Sequence, residues 1–257
     1  MGILNVTPDS FYSESRTMSD ECIDRRVAQM LAEGADMIDI GGYSSRPGAD
    51  DIQADEELRR IEQGITAVRR LSADIPVSVD TFRADVAREA VTSLGADIIN
   101  DISGGMIDER MVEVVAETRA PYILMHMRGT PADMQQHVDY HNVTADVIAW
   151  LSRRVAEFGL AGAGDIIIDP GFGFSKTVDQ NYEMLRNLEL FESLGRPLLV
   201  GVSRKSMIYR TLGGTPETSL NGTTIINTIA LERGASILRV HDVAQAREAV
   251  TVVSKIM

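Results

Sequence analysis

Residues 94–101 read Leu-Gly-Ala-Asp-Ile-Ile-Asn-Asp, and this order of residue types recurs at 33–40 (EGADMIDI) and 233–240 (RGASILRV). In each copy a pattern typical of a helix ends at the glycine, and an apolar run typical of a strand follows. Glycine can end a helix in the left-handed conformation, so the chain turns directly into the strand. The repeated phrase therefore predicts that helices and strands alternate along the chain.

Outward from these phrases, eight short runs rich in Ile, Val and Leu each end in a polar residue. The endings are Asn5, Asp39, Asp80, Asn100, His126, Asp169, Ser203 and His241. Segments with the helical spacing of apolar residues separate the runs, and one such helix is predicted over 180–195. The alternation predicts an α/β fold, a single (β/α)8 TIM barrel, with residues 1–257 as one domain. Because the active sites of such barrels lie at the carboxyl ends of the strands, the endings are candidate site residues.

The composition restricts the classes of function. A net charge of −13 argues against nucleic-acid binding, which needs a basic surface. No run of about 18 apolar residues and no secretory signal is predicted, so we expect no membrane partner. Cys22 is the only cysteine and cannot form an internal disulfide, which favours a reducing, cytoplasmic setting. Basic residues at the predicted strand mouths, such as Arg204 and Arg239, would still capture a small anion.

Three of the endings, Asp80, Asn100 and Asp169, would converge from different strands into one pocket. Two carboxylates and a carboxamide present acceptors and a donor, which suits the edge of an aminopyrimidine-like ring. Paired carboxylates doing acid/base work, or a metal site, are the alternatives that the residues leave open.

Four further motifs carry chemistry. Ser44–Ala49 (SSRPGA) places an arginine between hydroxyls and a rigid turn, and Asp169–Phe174 (DPGFGF) supplies two planar side chains that could wall an aromatic ligand. Ser203–Ser206 (SRKS) ends a strand at a predicted helix start, and Arg239–Asp242 (RVHD) ends the last strand. The last two strands of such barrels often bind phosphate, so an anion site is expected there.

Seven motifs, NVTPDSF, SSRPGA, SVDT, IND, DPGFGF, SRKS and RVHD, follow one another in this order over nearly the full chain. In this series the chain resembles the dihydropteroate synthases of folate biosynthesis. The resemblance implies a transferase that condenses 6-hydroxymethyl-7,8-dihydropterin pyrophosphate with p-aminobenzoate and yields 7,8-dihydropteroate and pyrophosphate. It also implies Mg²⁺ as cofactor, a homodimer, and inhibition by sulfonamides, which mimic p-aminobenzoate.

The resemblance further implies roles for individual residues. The expected pterin contacts are Asp80, Asn100, Asp169 and Lys205, and the expected pyrophosphate contacts are Asn5, Arg239 and His241, with Asn5 also beside the metal. The expected p-aminobenzoate contacts are Ser206, Phe174, Ser45, Arg46 and Pro47, and Asp9 and Phe11 belong to a loop that closes over the reacting centre. Of these, Asp169, Lys205, Arg239, His241 and Asp9 are expected to be catalytic.

Two departures from the family pattern stand out. Gly42-Tyr43-Ser44 stands where many members have a glutamate, and Ser45 replaces the common threonine. The chain also begins inside the first predicted strand, so we expect that a longer natural chain precedes Met1.

Other functions remain open at this point. The corrinoid-dependent methyltransferases share a pterin acid cluster but do not need the SRPGA, SRKS and RVHD motifs. A non-catalytic relative that binds pterin or a partner protein would lack one of the expected substrate-binding residues. A phosphate-binding barrel of sugar metabolism would leave the set of Asp80, Asn100 and Asp169 unexplained.

Overall fold

The computed structural model of the chain describes residues 1–7, 20–44 and 51–256. The strands are β1 (Gly2–Asn5), β2 (Ile38–Gly41), β3 (Val77–Asp80), β4 (Ile98–Asp101), β5 (Tyr122–Met125), β6 (Ile166–Asp169), β7 (Leu199–Val200) and β8 (Ile237–Leu238). The α-helices are α1 (Asp20–Ala32), α2 (Ala54–Leu71), α3 (Ala84–Thr92), α4 (Met111–Thr118), α5 (Val143–Leu160), α6 (Val178–Arg186), α7 (Ser206–Thr211), α8 (Leu220–Glu232) and α9 (Val243–Val253). Short 3₁₀ helices span Met134–Gln136 and Leu188–Leu194.

All strand pairs are parallel, and the sheet closes on itself. Strands β1 to β6 pair in sequence order, and β7 pairs with β8. A bridge between Ile168 and Leu198 joins β6 to β7, and a bridge between Gly2 and Val240 joins β8 to β1. The amide of Ile3 donates to the carbonyl of Val240 at 2.9 Å, and this hydrogen bond also joins the first strand to the last. The predicted TIM barrel is confirmed.

The alternation of side chains along each strand separates two environments. One set points outward and joins the main hydrophobic cluster, which includes Leu4, Ile40, Val79, Leu124, Ile168 and Val200. The other set points into the barrel, where Ile98, Ile123, Ile167 and Leu199 form an apolar layer. Asn100 and Asp169 lie two residues beyond Ile98 and Ile167, and Arg239 lies two residues beyond Ile237, which packs against the same layer. The alternation therefore stacks a polar layer on an apolar one at the carboxyl end of the barrel.

One predicted helix is wrong in its extent. Residues 180–195 do not form a single helix, because α6 ends at Arg186 and a 3₁₀ helix follows from Leu188. Between them Asn187 has φ −106° and ψ 20°, and its carboxamide donates to Oγ1 of Thr144 at 3.3 Å. Asparagine makes such side-chain hydrogen bonds in non-helical conformations and is a poor helix former. A further short helix, α7, begins where the SRKS motif predicted a helix start.

Among the helices that the structure describes, none has both the length and the apolar composition that crossing a membrane requires.

Truncation of Phe158 is expected to destabilise the barrel. This fully buried residue of α5 stacks on Tyr122 of β5, with ring centroids 4.6 Å apart. Phe158→Ala should lower the free energy of unfolding by about 3–5 kcal/mol, because it leaves a cavity between helix and strand. Urea unfolding followed by circular dichroism measures the loss. Leu160→Ala is the control, since Leu160 lies on the same helix and is 92% exposed. Equal losses in both variants would contradict the assigned packing.

Candidate active site

The four residues predicted to contact the pterin lie at the same end of the barrel. Asp80 ends β3, Asn100 lies in β4, Asp169 ends β6 and Lys205 follows β7. The strand register sets Asp80 directly beside Asn100. Lys205 is close enough to Asp169 and Asp80 for both carboxylates to affect its pKa. The structure therefore brings the four predicted pterin contacts together.

A buried hydrogen-bond network crosses the barrel and connects this group to β8. Asp39 of β2 is fully buried, and its Oδ2 accepts from Nδ2 of Asn100 at 3.1 Å and from Nε of Arg239 at 2.7 Å. Nη2 of Arg239 donates to Oδ2 of Asp80 at 2.7 Å. One guanidinium therefore bridges two carboxylates, and one of these carboxylates also holds the carboxamide of Asn100.

Burial and charge act in opposite directions within this network. Removal from solvent raises the pKa of Asp80 to about 7, with Asp39 adding to the rise and Arg239 opposing it. Burial disfavours the charge of Arg239, but the carboxylates of Asp39 and Asp80 raise its pKa above the ordinary value. Arg239 therefore stays charged, and the pKa of Asp80 lies above that of an ordinary carboxyl group.

A second pair of opposite charges lies across the mouth. Oδ1 of Asp169 accepts from the amide of Gly171 at 2.7 Å, and Nζ of Lys205 donates to the carbonyl of Phe172 at 2.5 Å. Burial lowers the pKa of Lys205 to about 8, and the nearby Asp169 opposes that fall. Burial raises the pKa of Asp169, and Lys205 opposes that rise. Each group makes the other's charge less costly in a site withdrawn from water.

The two phenylalanines of the DPGFGF motif have different environments. Phe172 is fully buried in the main core, whereas Phe174 packs against a smaller cluster that contains Met125, Met127 and Met134. Nζ of Lys205 lies 4.7 Å from the centre of the Phe174 ring, a cation–π distance. Phe174 is therefore the planar side chain that faces the group of polar residues.

The anion end was predicted to comprise Asn5, Arg239 and His241. Asn5 ends β1, and His241 follows β8. Burial lowers the pKa of His241 to about 4, assisted by the charge of Arg239, so its imidazole is neutral at pH 7. Ser203 lies beside His241, with its Oγ 3.1 Å from Nδ1.

Arg204 forms an ion pair with Asp242. Its guanidinium is held by both carboxylate oxygens of Asp242, at 2.9 and 2.6 Å. Its backbone has φ 58°, a left-handed conformation unusual for a residue with a side chain. The ion pair stabilises the sharp bend after which Ser206 begins α7. The ion pair with Asp242 engages Nε and Nη2 of Arg204, and the prediction that Arg204 captures an anion stays a prediction.

Tyr43 lies in the segment Gly42-Tyr43-Ser44, which was expected to depart from the family pattern. Its ring meets Phe82 edge-on, with centroids 5.1 Å apart, and the guanidinium of Arg83 lies 5.3 Å from the Tyr43 ring centre. The side chain of Tyr43 is therefore part of an aromatic and cationic cluster with Phe82 and Arg83. The predicted contacts Asp9, Phe11, Ser45, Arg46 and Pro47 lie outside the described residues.

Sequence reasoning left Asp39 and His126 without a role and did not single out Lys176. Nζ of Lys176 lies 3.0 Å from Nδ1 of His126, and it donates to the carbonyls of Gly171 at 3.0 Å and Phe174 at 2.9 Å. Burial lowers the pKa of both Lys176 and His126 well below their ordinary values. Lys176 therefore fixes the loop that carries Phe174. Asp39 and His126 were among the polar strand ends predicted to be site residues, whereas no local sequence pattern indicated Lys176.

Asn5 is the candidate metal contact. No described residue hydrogen-bonds its carboxamide, and the missing side chain of Gly41 leaves room beside it, since a Cβ there would lie 3.3 Å from Oδ1 of Asn5. Within residues 1–7, 20–44 and 51–256, no three His, Cys, Asp or Glu side chains form a metal cluster. A single amide oxygen fits Mg²⁺, which commonly takes few protein ligands and completes its shell with phosphate oxygens and water.

Comparisons with known proteins agree with this geometry. Residues 1–241 match the family described as pterin binding enzyme. Dihydropteroate synthase of Haemophilus influenzae is 44% identical over 246 residues, which are 95% of this chain and 88% of that protein.

Two solved structures extend the comparison. Dihydropteroate synthase of Xanthomonas albilineans with 4-aminobenzoic acid has a TM-score of 0.90 and 39% identity, over 99% of this chain and 91% of that one. The Yersinia pestis enzyme in a complex with a sulfonamide drug has a TM-score of 0.92 and 37% identity, over 99% of this chain and 92% of that one. The chain therefore belongs to the pterin-binding enzyme family.

Proposed function

We propose that this chain, as one domain over residues 1–257, condenses 6-hydroxymethyl-7,8-dihydropterin pyrophosphate with p-aminobenzoate to form 7,8-dihydropteroate and pyrophosphate in folate biosynthesis. The observation that carries the proposal is the polar layer at the carboxyl end of the barrel, in which Asp39, Asn100 and Asp169 are buried and Asp80, Lys205 and Arg239 are half-buried. The hydrogen bonds of Arg239 offset part of the cost of burying these groups, and a ligand that bonds to their remaining donors and acceptors would offset the rest.

The pterin would bind between the two charged pairs. A carboxylate only accepts hydrogen bonds, so Asn100 must turn its Nδ2 toward Asp39. Asn100 then offers Oδ1 and its second N–H to the ligand, and Asp80 and Asp169 offer acceptors for ring and amino N–H groups. Lys205 supplies a donor. This combination matches the mixed edge of a pterin better than an ordinary phosphate site would.

The reaction would begin with departure of pyrophosphate. The methylene carbon–oxygen bond breaks, its electron pair leaves with pyrophosphate, and the pterin ring delocalises the positive charge that remains. Asp169 would stabilise that charge, while Arg239, His241 and the carboxamide of Asn5 would face the departing anion. Bound Mg²⁺, held by Asn5, would supply charge neutralisation for the pyrophosphate.

The second substrate would then attack. The amine of p-aminobenzoate forms a bond to the methylene and releases one proton. Phe174 would form a wall of the p-aminobenzoate slot, and Ser206 at the start of α7 would bind its carboxylate. Ser45, Arg46 and Pro47 would complete the slot, and Asp9 and Phe11 would cover the reacting centre. Sulfonamides would compete for the same slot.

We also propose a cytoplasmic homodimer. Leu212 is 61% exposed and Ile225 of α8 is 50% exposed. Leu212 packs over α8, because a Cβ at Gly222 would lie 2.8 Å from its Cδ1. The two apolar side chains therefore share one face of the molecule, and a second copy of the chain would cover it.

The function is tested by incubating the purified protein with Mg²⁺, the pterin pyrophosphate and labelled p-aminobenzoate. We expect dihydropteroate to form, with a rate that falls on chelation of the metal and on addition of a sulfonamide. Chromatography of the labelled product measures the rate. A folded protein that forms no dihydropteroate would contradict the proposal.

Asp39→Asn tests the orienting carboxylate. The loss of charge-assisted hydrogen bonds to Arg239 and Asn100 should weaken binding of the pterin pyrophosphate about tenfold or more. Because Asp39 helps to raise the pKa of Asp80 to about 7, its removal should lower that pKa. Asp80 then stays ionised at lower pH, so the acidic limb of the binding profile should move to lower pH. Calorimetry over about pH 5 to 8 measures both effects.

Asp36→Asn is the matched control for this variant. Asp36 precedes the same strand, its side chain is 71% exposed, and it pairs with Arg247 at 3.1 Å. Its replacement removes the same charge from the opposite end of the barrel and should leave pterin affinity unchanged. Equal effects of the two substitutions would show that only the net charge matters.

The homodimer is tested with Ile225→Glu. A charge on this face should shift the protein toward the monomer, because burying it in an interface without a partner is costly. Sedimentation velocity measures the mass. Leu160→Glu alters an exposed leucine of α5 and should leave the dimer intact. A monomeric parent protein, or a dimer that tolerates Ile225→Glu, would refute the assignment.

A further inference from the structure

Ser203 contacts two different groups of His241. The backbone amide of His241 lies 3.2 Å from Oγ of Ser203, and Nδ1 of the imidazole lies 3.1 Å from the same oxygen. Ser203 is only 4% exposed. It follows β7 and His241 follows β8, so the contact links two neighbouring strands at the anion end.

The proton positions follow from what each group can do. A backbone amide can only donate, so Oγ of Ser203 accepts from His241. The hydroxyl retains one hydrogen of its own, and a buried hydroxyl needs an acceptor for it. Among the described residues, Nδ1 of His241 is the only acceptor within reach of this hydroxyl. Nδ1 therefore accepts the hydroxyl hydrogen and carries no hydrogen itself.

The imidazole is neutral, so it has a single ring N–H. Burial, together with the cations Arg239, Arg204 and Arg26, lowers the pKa of His241 to about 4, and Asp242 opposes that fall. With Nδ1 occupied as an acceptor, the ring hydrogen lies on Nε2. No described residue hydrogen-bonds Nε2, so this N–H remains available to a ligand.

We propose that Ser203 is a positioning residue that fixes His241 as the Nε2–H tautomer, so that the ring donates a hydrogen bond to an oxygen of the pyrophosphate. The identity of this ligand rests on the proposed function. With the other tautomer, Nε2 would present a lone pair to the anion and repel it. The hydroxyl thereby turns a neutral ring into a donor without placing another positive charge beside Arg239.

The tautomer is measured directly on the protein without substrate. In a sample labelled with ¹⁵N-histidine, two-bond proton–nitrogen correlation spectra distinguish a protonated from an unprotonated ring nitrogen. The chain has four histidines, and the signals of His241 are assigned by their disappearance in His241→Gln. We expect Nδ1 unprotonated and Nε2 protonated. The opposite pattern overturns the proposal, whatever the catalytic activity.

Substitution of the serine tests its causal role. Ser203→Ala should shift the Nδ1 signal toward a mixture of tautomers, and Ser203→Thr, which keeps a hydroxyl, should restore the parent pattern. An unchanged Nδ1 signal in Ser203→Ala would overturn the role of the hydroxyl. Ser236→Ala, at an exposed serine before β8, is the matched control and should leave the spectrum and the activity unchanged.

Kinetics tests the consequence for the pyrophosphate. In Ser203→Ala, kcat/KM for the pterin pyrophosphate should fall about tenfold, the scale of one hydrogen bond, while KM for p-aminobenzoate stays constant. Ser203→Thr should recover most of the loss. A tautomer shift without any kinetic change would overturn the donor role. If the parent protein shows the expected tautomer but forms no dihydropteroate, the proposed function fails and the tautomer assignment stands.

Discussion

The bridge that Arg239 makes between Asp39 and Asp80 is the interaction on which the site depends. A guanidinium inside a barrel would be very costly alone, and two buried carboxylates side by side would repel each other. Placed between them at 2.7 Å from each, Arg239 makes all three charges tolerable. Its Nε and Nη2 are used for this purpose, and no described residue hydrogen-bonds its Nη1. The same side chain can therefore hold the polar layer together and still offer a donor to an anion.

The apolar layer beneath explains why this network is strong. Ile98, Ile123, Ile167 and Leu199 fill the barrel below the polar residues and exclude water from that side. Electrostatic interactions are stronger where water is excluded, and unpaired polar groups cost more there. Side chains two residues apart on a strand point to the same side of the sheet. This spacing places both the apolar layer that excludes water and the polar layer above it inside the barrel.

The sequence predicted the barrel and the polar residues that meet at its carboxyl end, because both depend on strand periodicity. The ends of β3, β4 and β6 were identified by a rule about the fold before any motif was considered. The rule that strand ends carry site residues does not say which ends matter most. It therefore did not single out Asp39, which hydrogen-bonds to both Arg239 and Asn100. Long-range pairing of this kind joins residues 200 positions apart and leaves no local pattern. The helix break at Asn187 and the ion pair of Arg204 were not predicted either, because each depends on a contact with a residue distant in the sequence.

The charges of the site bear on the proposed need for Mg²⁺. Around the proposed pterin position, the acids Asp39, Asp80 and Asp169 outnumber the bases Arg239 and Lys205. His241 adds a neutral donor. Such a site can recognise the N–H groups of a pterin, but it attracts a pyrophosphate only weakly by itself. A cation that arrives with the anion would supply the missing charge at the Asn5 end, without disturbing the carboxylates proposed to bind the ring.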